Sequence, residues 1–149
     1  ELVEASASLS KQARRYLGNK RAQRCTFVNV RLEQLEPNPR AYGLVWLQWV
    51  LQYLIDEDVV SLLRACAGSL VRGGVLVVKE NRPAWRTKSN RFELDTPAGP
   101  NERFDITRPD EHHRFLFSAA GLRELHSEHH DETTAWLLVP AADPLVLSG

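Results

Sequence analysis

Apolar positions along the chain switch between two periods. Leu2-Val3 reads as the tail of a buried strand, and Leu9, Ala13, Tyr16 and Leu17 then fall on one helical stripe that Gly18-Asn19 should stop. Cys25 to Val30 is β-branched and aromatic, the pattern of a strand, and Glu36-Pro37-Asn38-Pro39 is a loop because closely spaced prolines remove backbone donors. Tyr42 to Gln48 reads as the next strand. Asp56 to Leu70 reads as a helix with an acidic first turn, with Val59, Leu62, Leu63, Cys66 and Leu70 facing inward. A turn at Arg72-Gly73-Gly74 leads into the continuous apolar run Val75 to Val78, suited to a strand covered on both faces.

The rhythm then breaks. Residues 82–104 are rich in Arg, Pro, Asn and Gly, and a segment of that length reads as a lid or insertion. Asp110 to Ala120 predicts a helix ending at Gly121. Leu122 to His126 and Thr134 to Val139 predict a closing strand pair, and 140–149 a tail. Strands alternating with helices of this length indicate an α/β sheet. The chain of 149 residues reads as a single partial domain.

Composition adds mainly exclusions. Lys+Arg and Asp+Glu both total 19, so no global field favours nucleic acid or an anionic membrane. No apolar run approaches the roughly 20 residues of a membrane span. Cys25 and Cys66 are far apart in apolar patterns and read as reduced thiols, which points to the cytoplasm or nucleus. His112-His113 and His129-His130 are adjacent pairs whose side chains diverge, so no metal site is expected.

The candidate chemistry lies at strand ends, where open α/β sheets bind ligands. Gln48-Trp49 ends one strand and Lys79-Glu80-Asn81 another. Trp49 offers an indole for a cationic or methylated amine, an attraction of about 0.5–2 kcal/mol. Glu4 closes the first strand, where a carboxylate can accept hydrogen bonds from a ribose diol.

Four stretches carry a resemblance: Val3-Glu4-Ala5-Ser6 through Gly18, Tyr42 through Val50 with Leu54, Val77-Val78-Lys79-Glu80-Asn81, and Ile106-Thr107-Arg108 with Ala120-Gly121-Leu122. Together they resemble the eukaryotic protein α-N-terminal methyltransferases, a class I S-adenosylmethionine-dependent family. The resemblance implies a Rossmann-like sheet with helices on both faces, here lacking the first strand and the glycine-rich loop. It implies methyl transfer from S-adenosylmethionine to the α-amino group of X-Pro-Lys type protein N-termini, by a monomer found in cytoplasm and nucleus.

By the same resemblance Glu4, Ala5, Ser6, Leu32, Glu33 and Gln48 hold the cofactor, and Trp49, Glu80 and Asn81 hold the substrate, with Glu80 supplying negative charge for a basic tail. Tyr53 stands where the family has a His, and Asp105 becomes the candidate base. These departures, with the absent loop, suggest an impaired fragment and keep two alternatives open. One is a catalytically degenerate binding subunit. The other is a small-molecule methyltransferase whose lid arginines Arg82, Arg86, Arg91 and Arg103 favour an anion.

Overall fold

The computed structural model describes residues 1–83, 92–95 and 104–142. The chain divides into two compact units, Glu1–Glu36 and Pro37–Gly149. In the first, β1 (Leu2–Val3) runs parallel to β2 (Phe27–Val28), with Leu2 opposite Phe27. The strand expected over Cys25 to Val30 shrinks to two residues because a ladder can be no longer than its shorter partner. Helix α1 (Ala7–Ala22) connects them, its N-cap Ser6 accepting from the Leu9 N–H.

Gly18 kinks α1 instead of ending it. With φ 69° and ψ 162° it breaks the helical path, and the chain then resumes a helical course to Ala22. The expected apolar stripe is only partly covered, since Ala13 and Leu17 are half-buried while Leu9 and Tyr16 are exposed. Buried Ser10 and the backbone carbonyl of Glu4 both accept from Asn29 Nδ2, at 2.6 and 2.8 Å, tying the helix to the strand end. Arg14 stacks 3.9 Å over the Phe27 ring.

The second unit is a four-stranded sheet. Its strands are β3 (Tyr42–Gln48), β4 (Leu70–Asn81), β7 (Leu122–His130) and β8 (Thr133–Pro140), in the order β3-β4-β8-β7. β3 and β4 are parallel, joined through α2 (Asp56–Ser69), while β8 runs antiparallel to both neighbours. The expected Arg72-Gly73-Gly74 turn survives as an excursion within β4: Tyr42 faces Leu70, yet Leu44 already faces Val75. Gly74 is required there, because a Cβ would lie 2.9 Å from the Tyr42 carbonyl oxygen.

Helix α3 (Asp110–Ala119) packs beside α2, whose Arg64 donates to the Ala119 carbonyl at 2.7 Å. Trp136, Leu76, Val78 and Leu138 from the sheet meet Val59 and Leu63 of α2 and Leu116 and Phe117 of α3 in a core that excludes water. Each such side chain contributes about 1.5–3 kcal/mol. Part of the expected lid is regular: β5 (Glu93–Asp95) pairs antiparallel with β6 (Asp105–Thr107). The rest of it, 84–91 and 96–103 with Arg86, Arg91 and Arg103, lies outside the described residues, as does 143–149 of the tail.

Candidate active site

Parallel pairing sets Gln48 beside Lys79, so the carboxyl ends of β3 and β4 open side by side. The chain leaves β3 through a strained residue. Trp49 has φ 53°, a left-handed conformation that costs a residue other than glycine of order 1–3 kcal/mol. Hydrogen bonds hold it there: the Trp49 N–H donates to the Lys79 carbonyl at 3.0 Å, and the next two N–H groups, Val50 and Leu51, donate to Glu80 Oε1 at 2.9 and 3.0 Å. Consecutive N–H groups curled in this way form a nest for an anion. The acceptor here is the protein's own Glu80 carboxyl.

Glu80 is therefore not presented as a surface charge for a basic tail. Only 3% of it is exposed. Burial pushes its carboxyl up to about 7, although the Leu51 and Val50 N–H groups and the Arg108 charge pull the other way, and the nearby Asp105 charge pushes it up further.

Beyond Glu80 a 3-10 turn, Leu51–Tyr53, packs against β6, whose first residue is the half-buried Asp105. Asn81 donates from Nδ2 to Oε1 of buried Gln52 at 3.3 Å. Trp49 and Tyr53 remain 47% and 43% exposed, large rings offered to the outside at a strand end. Lys79 Nζ lies 5.8 Å from the Trp49 ring centroid, a cation already at the indole face. Gln48 Oε1 accepts from Trp46 Nε1 at 3.0 Å.

One residue at this site escaped sequence reasoning except as part of a matching stretch. Arg108 is fully buried. Its Nη1 donates to the Leu51 carbonyl at 3.0 Å, Nη2 to the Leu54 carbonyl at 2.6 Å, and Nε to Asp56 Oδ1 at 2.8 Å. His112 Nε2 meets the other Asp56 oxygen at 2.6 Å. Burial raises the Asp56 carboxyl, but hydrogen bonds from His112 and Arg108 outweigh it and leave the group below its ordinary value. An Arg between Thr107 and Pro109 carries no sequence signal of burial, since Arg is almost never buried unless paired. Its pairing partners lie 52 to 57 residues away in sequence.

The remaining expected residues belong to the first unit. Glu4 follows β1, its N–H bonded to the Val28 carbonyl at 3.0 Å and its Oε1 accepting from the Ser6 N–H at 2.8 Å. Ala5 is exposed in the same turn, and Leu32 and Glu33 sit on a 3-10 turn, Leu32–Gln34. Glu4, Ala5, Ser6, Leu32 and Glu33 are thus gathered in one unit. Gln48, Trp49, Tyr53, Glu80, Asn81 and Asp105 are gathered in the other.

Residues 1–138 match the model of the AdoMet-dependent proline di-methyltransferase family. Alpha N-terminal protein methyltransferase 1 of Schizosaccharomyces pombe is 38% identical over 122 residues, which are 82% of this chain and 50% of that protein. The human N-terminal Xaa-Pro-Lys N-methyltransferase 1 is 32% identical over 81 residues, 54% of this chain and 36% of its own length. The chain spans about half the length, or less, of these relatives.

Among solved structures, a SAM-dependent methyltransferase from Leishmania major superposes with a TM-score of 0.76 at 24% identity, covering 92% of this chain and 53% of that one. A glycopeptide N-methyltransferase solved with S-adenosylmethionine gives a TM-score of 0.70 at 12% identity, covering 92% of this chain and 70% of that one. These likenesses show the Rossmann-like class I methyltransferase fold. With its two parallel strand ends, its strained Trp49 and a match running almost the length of the sequence, the chain belongs to the AdoMet-dependent proline di-methyltransferase family.

Proposed function

We propose that the protein containing this chain transfers methyl groups from S-adenosylmethionine to the free α-amine of protein N-termini of the X-Pro-Lys type. The observation that carries the reading is the strand-end platform: an exposed, backbone-strained Trp49 one residue beyond Gln48, with the parallel neighbour running on from Lys79 to end at Asn81. An indole held outward by a left-handed backbone suits a cationic amine better than it suits packing.

The first unit fits the cofactor's ribose. Glu4 holds a carboxylate at the carboxyl end of a parallel strand, oriented by the Ser6 N–H on Oε1, where a carboxylate can accept from a ribose diol. Ala5 and Ser6 continue that turn, Leu32 would cover the adenine, and Glu33 would reach its amino group. When bound, S-adenosylmethionine supplies an electrophilic methyl group on sulfonium sulfur, and Gln48 offers an uncharged amide to its methionine portion.

On the substrate side, Trp49 faces the amine, Asn81 bonds the substrate backbone and Tyr53 forms the rim. An α-amine titrates at about 7.7–8.0, so a weak base suffices to neutralise it. Asp105, beside the 3-10 turn, takes the proton in this reading. Both thiols, Cys25 and Cys66, are free, which favours a reducing compartment, cytoplasm or nucleus. Among the described residues no helix is long and apolar enough to cross a membrane. We read the catalytic form as a monomer acting on peptide tails.

The test uses the complete natural protein, methyl-labelled S-adenosylmethionine, and X-Pro-Lys peptides with free or acetylated α-amines. Label on the free peptide alone is expected. Equal label on the acetylated peptide would remove α-amine chemistry, and label confined to small molecules would favour the small-molecule alternative. Absence of turnover together with cofactor binding would favour a degenerate binding subunit.

A further inference from the structure

Leu51 is held from both ends. Its N–H donates to the Glu80 carboxylate at 3.0 Å and its carbonyl accepts from the Arg108 guanidinium at 3.0 Å. The same carboxylate oxygen takes the Val50 N–H, and the same guanidinium takes the Leu54 carbonyl. Lys79 completes the set by accepting from the Trp49 N–H. The backbone of Trp49, Val50, Leu51 and Leu54 is thereby tied to β4 on one side or to Arg108 on the other. Within the turn, Tyr53 and Leu54 N–H groups donate to the Val50 and Leu51 carbonyls.

This arrangement is more than is needed to close a short connection. A 3-10 turn of three residues satisfies part of its own hydrogen bonding and ordinarily leaves the rest to water. Here the free groups are taken up by two buried ionisable side chains, the Glu80 carboxyl and the Arg108 guanidinium, 3% and 0% exposed. Burying charges is unfavourable unless each is paired and fully hydrogen-bonded. Arg108 is so paired: two carbonyls and Asp56 receive its nitrogen atoms, and His112 holds the second oxygen of Asp56. The guanidinium fork is rigid and planar, so it fixes the spacing of the carbonyls it binds, which a Lys ammonium does not.

The residues thus fixed carry the two exposed rings of the site. Trp49 sits at the entrance of the turn in a conformation that relaxes unless held, and Tyr53 sits at its end. Gln48 precedes the turn and is set by the β3–β4 ladder instead. The substrate side and the cofactor side of the second unit therefore have different supports.

We propose that Arg108 is a positioning residue that, with Glu80 on the opposite side, clamps the Trp49–Leu54 turn and so sets where Trp49 and Tyr53 meet the substrate's N-terminus. The proposal rests on the functional reading above. Asp56 serves the clamp indirectly, by orienting the guanidinium through Nε.

The experiment compares the complete natural protein with Arg108→Lys and Asp56→Asn. Amide hydrogen exchange is read at Leu51 and Leu54, with Val78 and Leu138 in the sheet as references. Peptide KM and S-adenosylmethionine Kd are measured on the same preparations. In R108K the Leu51 and Leu54 amides should exchange at least ~10-fold faster, and the reference amides should not change. Peptide KM should rise at least ~10-fold with cofactor Kd within about twofold, because loss of an interaction with bound substrate appears in KM. A lowered fraction of folded enzyme would leave KM where it was.

D56N, whose side chain is 40% exposed, should move both readouts in the same direction by a smaller factor, and it decides the matter if R108K does not fold. Unchanged exchange in the folded variants overturns the clamp. Faster exchange with unchanged peptide KM overturns its role in positioning. If the wild-type protein methylates no peptide, the functional reading fails, and the exchange data still judge the clamp.

Discussion

Replacing Glu80 by Gln should change the pH dependence of stability in one direction only. The carboxyl is buried, and its folded value of about 7 lies above an ordinary 4.5. A group whose folded value is raised holds its proton more tightly in the native state. Its stabilising contribution is fully present below pH 4.5 and is lost as pH rises through 7. At about 1.4 kcal/mol per pH unit, the gap between 4.5 and 7 amounts to roughly 3 kcal/mol, an upper figure for a carboxylate that relaxes locally. Glutamine keeps an oxygen for the Val50 and Leu51 N–H groups and has nothing to ionise. Whatever its amide costs by lacking a partner is the same at every pH.

The quantity to measure is the difference in unfolding free energy between wild type and E80Q, from urea titrations at pH 5, 6, 7 and 8. Taking the difference cancels other titrating groups. The variant should gain on the wild type by about 2–3 kcal/mol between pH 5 and 8, a movement of about 1 M or more in the urea midpoints relative to one another. A difference constant to within about 0.5 kcal/mol would mean that Glu80 ionises as it does in water. Its carboxyl would then not lie in the dry nest described above.

His113 gives the opposite sign: buried and 4.9 Å from the Trp136 ring, it is depressed to about 3, first by burial and then by the Arg108 and His112 charges. Its contribution, fully present above pH 6.5, should fall by about 2–3 kcal/mol between pH 6.5 and 4.5; because Glu80 moves total stability the other way over this range, the readout is the difference in unfolding free energy between wild type and His113→Phe, in which the wild type should lose that amount. Trp49→Gly and Trp49→Ala remove the same indole, but glycine accepts φ 53°, so W49G should be the more stable by about 1 kcal/mol in thermal or urea unfolding while both lose peptide affinity. Asp105→Asn should lower peptide kcat about 10²-fold at pH 7 and much less at pH 9, where the α-amine is already neutral; a pH–rate profile unchanged from wild type would exclude Asp105 as the base.

Much of this protein was legible in one dimension because its determinants are local. Apolar period located α2, α3, β3 and β8 to within a residue or two, and the centre of β4 and the start of β7, although β4 begins five residues earlier and β7 ends four residues later than expected. Gln48-Trp49 and Lys79-Glu80-Asn81 announced themselves as polar exits from apolar runs, and parallel pairing of their strands follows from the helix between them. Contacts between distant segments decided the rest. Whether Gly18 stops or bends a helix depends on what packs beyond it, and the length of β2 depends on its partner. Glu80 looked like surface charge because a sequence cannot show that two N–H groups thirty residues upstream converge on it. Arg108 looked unremarkable for the same reason: burial of a charge is a property of its surroundings, and those are assembled only when Asp56, Leu51 and Leu54 come together around it.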